Sequence, residues 1–80
     1  MIPENYGHLI VGKSYVVTQE FTDYDGLRHS PGETWTYLGY DSFFYDAGLT
    51  LYISPGDSIR LQDADLFQRH IVSRLETYIG

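Results

Sequence analysis

Asp23, Asp25, His29 and Glu33 are the residues of this chain whose types and spacing could do chemistry. Asp23-x-Asp25-Gly26 opens like a calcium loop, because a hard cation needs several oxygens from closely spaced positions. The likeness ends at Leu27 and Arg28, which stand where further oxygen ligands belong, and no correctly spaced terminal glutamate follows. Asp23, Asp25 and His29 are therefore weak metal candidates. The pattern predicts instead a hairpin loop in which aspartates accept backbone N–H bonds and Asp25-Gly26 makes a turn. His29 could act as a general base oriented by Asp25 or Glu33, with Ser30 beside it, but neighbours on an extended loop seldom face one another. There is no nucleophile elbow and no glycine-rich phosphate loop. The expectation is a non-enzymatic protein that uses no cofactor, with His29 pinning the loop to a sheet.

The aromatic residues offer a different kind of site. Tyr24, Trp35, Tyr37, Tyr40, Tyr45 and Tyr52 are more than the core of so small a chain can take in. Two readings compete: Trp35 and Tyr37 join Tyr15 in the core, or they belong with the loop to a contact face. On the second reading the binding residues are Tyr24, Asp25, His29, Glu33, Trp35 and Tyr52, an acidic, aromatic-lined surface suited to an Arg- or Lys-bearing protein partner.

Charge narrows the ligand. Eleven acidic residues against 5 Lys and Arg give a formal net charge of −6, which repels phosphate backbones and argues against nucleic acid. No run is long and apolar enough for a membrane span, and the N-terminus shows no signal-peptide pattern. The absence of cysteine removes disulfides and thiolate chemistry and fits a cytoplasmic location. Alternatives to the interaction module are an immunity- or antitoxin-like protein masking a basic partner, a metal or ligand sensor using the Asp23–Glu33 loop, and an accessory that pairs through an edge strand.

The elements that must position these residues read as one small domain over 1–80. An N-terminal arm (1–12) precedes a β-rich part (13–61) and a helix (63–79). Lys13–Phe21 alternates, with Tyr15, Val17 and Phe21 on one face. Pro31-Gly32 suits a type II turn. Thr34–Leu38 reads as a strand, Gly39–Ser42 as a turn, Phe43-Phe44-Tyr45 as a short strand, and Asp46-Ala47-Gly48 as a hairpin loop with Gly left-handed. Leu49, Leu51 and Ile53 give the clearest period of two, and Ile59 and Leu61 begin a fifth run. An exposed edge is expected at the Lys13–Phe21 strand or the Ile59–Leu61 run.

Beyond this point the period becomes helical: Phe67, Ile71, Leu75 and Tyr78 form a stripe, with Asp63 as N-cap and Asp65–Arg69 as an i, i+4 pair. Phe21, Phe43, Leu49, Leu51, Ile53, Phe67, Ile71 and Leu75 are assigned to the core. The fold class is mainly β (α+β): a small SH3-like barrel or bent antiparallel sheet of about five strands, closed by a C-terminal amphipathic helix.

One resemblance adds to this. Gly12-Lys13-x-Tyr15-x-Val17, then Phe21-x-Asp23-Tyr24-Asp25-Gly26-x-x-His29-x-x-Gly32-Glu33-x-Trp35, Leu38-Gly39, Gly48-Leu49-Thr50-Leu51 and Ile59-Arg60-Leu61-Gln62 resemble a bacterial family of short proteins known only as a domain of unknown function. The connection at Ser54–Ser58 is shorter than that family's usual polar insert. The resemblance implies a bacterial origin and a small β-rich domain. It carries no activity and no catalytic residues with it.

Overall fold

The computed structural model describes residues 1–43, Tyr45 and residues 47–80. In chain order the elements are β1 (Ser14–Val16), β2 (Phe21–Thr22), β3 (Arg28–His29), β4 (Thr34–Phe43), β5 (Gly48–Ser54), β6 (Ser58–Gln62), α1 (Leu66–Ser73) and α2 (Leu75–Tyr78). Four strands form an antiparallel sheet in the order β1-β4-β5-β6, while β2 and β3 make a separate two-stranded ribbon. Of the two shapes expected, the molecule adopts the bent sheet; the strands do not close into a barrel.

Alternation decides which side chains go inside. Trp35 and Tyr37 of β4, Leu49, Leu51 and Ile53 of β5, and Ile59 and Leu61 of β6 are all buried, with Tyr15 and Phe21 beside them. Trp35, Tyr37 and Tyr15 thus belong to the core. Leu9 of the N-terminal arm is fully buried, and Ile71, Leu75, Tyr78 and Ile79 join the same core. The Tyr37 hydroxyl donates to the Glu4 carbonyl at 2.7 Å, and the Tyr15 hydroxyl donates to the His8 carbonyl at 3.1 Å, so the arm is tied to the sheet. Burial raises the Tyr37 phenol to about 12, and the neighbouring Tyr40, Tyr15 and Tyr6 push the same way.

Several strand boundaries differ from the sequence reading. The Lys13–Phe21 run is two strands, because after Val17 the chain leaves β4 and the amides of Thr18 and Gln19 donate to the Tyr78 carbonyl. Gly39–Ser42 is not a turn: β4 continues through it, with a register shift between Tyr37 and Gly39. The reason is a close approach. A Cβ on Gly39 would sit 2.4 Å from the Ile2 carbonyl oxygen, where the arm crosses to bridge Tyr40. Phe43 ends this long strand and is 51% exposed, because β4 there pairs with β5 alone and overhangs the core. The left-handed residue before β5 is Ala47 (φ 58°), not Gly48. Phe44 and Asp46, parts of the expected third strand and hairpin loop, lie outside the described residues. The Pro31-Gly32 turn has type II geometry, with the Glu33 amide 3.1 Å from the Ser30 carbonyl and Gly32 at φ 98°.

The helix is also shorter than its pattern. It starts at Leu66, capped by Asp65, whose Oδ1 accepts from the amides of Phe67 (3.0 Å) and Gln68 (3.2 Å). With Asp65 so engaged, Arg69 turns to Asp63 instead, donating from Nε to its carbonyl at 2.9 Å. The chain breaks at Arg74 (φ −129°, ψ 40°) before the single turn of α2. The buried stripe is Gln68, Ile71, Leu75 and Tyr78, so Phe67 does not join the core and is 85% exposed. Gln68 takes the inner position because its Nε2 reaches the Thr22 carbonyl at 2.9 Å.

Both sheet edges fall on the runs expected to form them, and both are partly covered. Val16 exchanges two backbone hydrogen bonds with Gly80, at 2.8 and 3.2 Å, and Val17 bridges Ile79. On the far edge the Tyr24 amide donates to the Arg60 carbonyl at 2.7 Å.

Candidate functional site

The β2–β3 ribbon positions the polar cluster. Asp23 follows β2 and is buried; its Oδ1 accepts from the amides of Asp25 and Leu27, both at 3.0 Å, which folds the loop into a tight turn. That turn delivers His29, on β3, to the second carboxylate oxygen: Nε2 lies 2.8 Å from Asp23 Oδ2. The Pro31-Gly32 turn then brings Glu33 back, with Oε2 2.7 Å from His29 Nδ1, and the same oxygen accepts from Trp35 Nε1 at 3.2 Å.

Burial works against the charged imidazole, but hydrogen bonds to Asp23 and Glu33, with their negative charge, outweigh it and raise His29 above its usual value. Where the ring carries both protons it donates from both nitrogens. In that state it has no lone pair to take a proton from a substrate or to hold a metal. The two bonds join His29 to Asp23 at the end of β2 and to Glu33 just before β4.

Of the sequence-predicted site residues, His29, Glu33 and Trp35 line one cleft beside Leu27 and Pro55, and Tyr24, Asp25 and Tyr52 are not part of it. His29 and Trp35 are buried and Glu33 is held between them. Asp25 sits outside, accepting from Arg60 Nη1 at 3.1 Å, and Tyr24 beside it is 52% exposed. Tyr52 is elsewhere, its hydroxyl donating to Asp41 Oδ2 at 2.6 Å, a bond that raises the phenol and lowers the acid. Among the described residues no group of three or more His, Cys, Asp or Glu could hold a metal ion.

A second site was not legible as one. A groove of about 600 Å³ runs between β2 and α1, formed by Phe21, Ile71 and Tyr78 with Leu66, Phe67 and Glu20 around them. Leu66 is 78% exposed and Phe67 85%. The signal available in the sequence was the Leu66-Phe67 pair directly after a capping aspartate: adjacent residues on a helix point in different directions, so both cannot enter one stripe.

A bent four-stranded antiparallel sheet with a side ribbon and a short broken helix defines the class: a small α+β domain. The chain belongs to the DUF3601 family, a domain of unknown function whose model matches residues 3–80. The match extends over nearly the whole chain. The chain is similar in structure to an integron cassette protein from the mobile metagenome of Vibrio cholerae, at 29% identity and a TM-score of 0.91, covering 99% of this chain and 91% of that one. No curated protein matches the chain.

Proposed function

We propose that this domain works by binding another protein, without catalysis, and that the contact is made through the groove between β2 and α1. The observation that carries this reading is the exposure of Leu66 and Phe67 side by side at the edge of an apolar groove. Single exposed apolar residues are ordinary, but a contiguous apolar patch beside a concavity marks an interaction surface. Burying two such side chains would yield about 1.5–3 kcal/mol each. A small-molecule site would be expected to add convergent polar groups, whereas the surroundings here are overwhelmingly carbon.

The acidic loop is the lesser candidate, since His29, Trp35 and Glu33 are already engaged with one another and only Tyr24 and Leu27 offer exposed apolar area. A photo-crosslinking residue placed at Phe67, and separately at Tyr24, tests the assignment in cells that make the protein. The reading expects a discrete heterologous adduct from position 67. Adducts from position 24 alone would move the contact to the loop, and none from either would end the interaction reading.

A further inference from the structure

Resting on that reading, we propose that the groove receives an amphipathic helix of a basic protein, its apolar side against Phe21, Ile71 and Tyr78 and a Lys or Arg against Glu20. The form of the occupant follows from the backbone around the groove. A docking strand needs free main-chain groups to pair with, but the Thr22 carbonyl already accepts from Gln68. The chain leading into β2 is engaged as well, Val16 with Gly80 and the Thr18 amide with the Tyr78 carbonyl. An extended segment would bring unpaired N–H and C=O groups against carbon walls, which is costly. A helix satisfies its own backbone and presents side chains alone.

The charge of the occupant follows from the rim and the whole molecule. Glu20 is the carboxylate lining the apolar surface, with His70 on the α1 side, and its ion-pair partner, Arg28, lies 4.0 Å away with both side chains more than half exposed. Such a pair is weak and easily exchanged. With a net charge of −6, the chain attracts a cationic partner and opposes a second copy of itself seated on the same groove.

Two synthetic amphipathic helical peptides with the same leucine stripe, one flanked by lysines and one by glutamates, test this by fluorescence anisotropy on the full chain. The lysine peptide should bind at one site, about fivefold or more tighter than the glutamate peptide at low salt. Phe67→Asp should weaken it about tenfold or more, and Glu20→Gln should reduce the preference between the peptides.

Equal binding of both peptides, still lost in Phe67→Asp, would overturn the charge assignment and leave the groove reading standing. Lysine-peptide binding indifferent to Phe67→Asp would overturn the inference as mere adsorption to an acidic surface. No binding of either peptide overturns it as well, while the crosslinking experiment decides the groove independently. Light scattering that shows a dimer broken by Phe67→Asp would assign the groove to a second copy.

Discussion

The imidazole of His29 lies against the ring of Phe21, with ring centres 4.8 Å apart and planes inclined by 23°. The charged clamp of the loop and the apolar groove thus share a wall, since Phe21 also meets Tyr78 edge-on at 5.8 Å. Removing the imidazole should disturb both. His29→Ala leaves the buried Asp23 carboxylate facing Glu33 without a cation between them, and should cost about 2–4 kcal/mol. Urea unfolding at pH 6 measures this; a loss below about 1 kcal/mol would mean that the clamp is not structural.

The same clamp sets a pH dependence. Folded His29 holds its proton more tightly than the unfolded chain, whose histidine titrates near 6.5. The native state binds the extra proton, so stability from this group is whole below the unfolded value and declines as pH rises through the higher folded value. Melting temperature followed upward from pH 6 should fall over that window in the wild type. In His29→Gln this component should be absent.

Phe67 and Ile71 should respond in opposite ways to truncation. Phe67→Ser, at a position 85% exposed, should change stability by no more than about 0.5 kcal/mol. Ile71→Ala, in the core, should cost about 2–4 kcal/mol. Parallel urea titrations of the two variants check the contrast, and a large loss in Phe67→Ser would return that ring to the core.

Gly39→Ala should unseat the N-terminal arm. The new Cβ would meet the Ile2 carbonyl oxygen at 2.4 Å, a contact that only movement can relieve. The Ile2–Tyr40 bridge, with hydrogen bonds of 2.7 and 2.9 Å, is the part free to give way. Amide exchange at Tyr40 should accelerate by an order of magnitude or more, with a stability loss of about 1–3 kcal/mol. Unchanged protection of Tyr40 would show that the arm is held elsewhere.

Sequence made the middle of the sheet readable because Leu49, Leu51 and Ile53 alternate cleanly and lie on a strand paired on both sides. Gly39-Tyr40-Asp41-Ser42 misleads because its composition is that of a turn, whereas its conformation is set by β5 and by the distant Ile2. At the helix start, Asp63 and Asp65 are both acceptable caps, and the polar Gln68 conceals the true inner stripe. Residue types alone marked His29 as a loop pin. Glu33 is readable as one carboxylate partner, whereas Asp23, rather than Asp25, becomes visible as the other only once the loop is folded. Of the groove only the Leu66-Phe67 pair left a trace in the sequence, because its walls come from β2, α1 and α2, far apart in the chain.

Gly80 and Ile79 lie along β1 as a strip of borrowed strand, and that makes the tail a safety device against self-assembly. A protease that clipped the chain before Tyr78 would strip the cover from Val16 and Thr18. The protein would then carry a bare, β-branched ribbon open to its neighbours while its groove lost the Tyr78 wall, so precipitation and loss of binding would set in together.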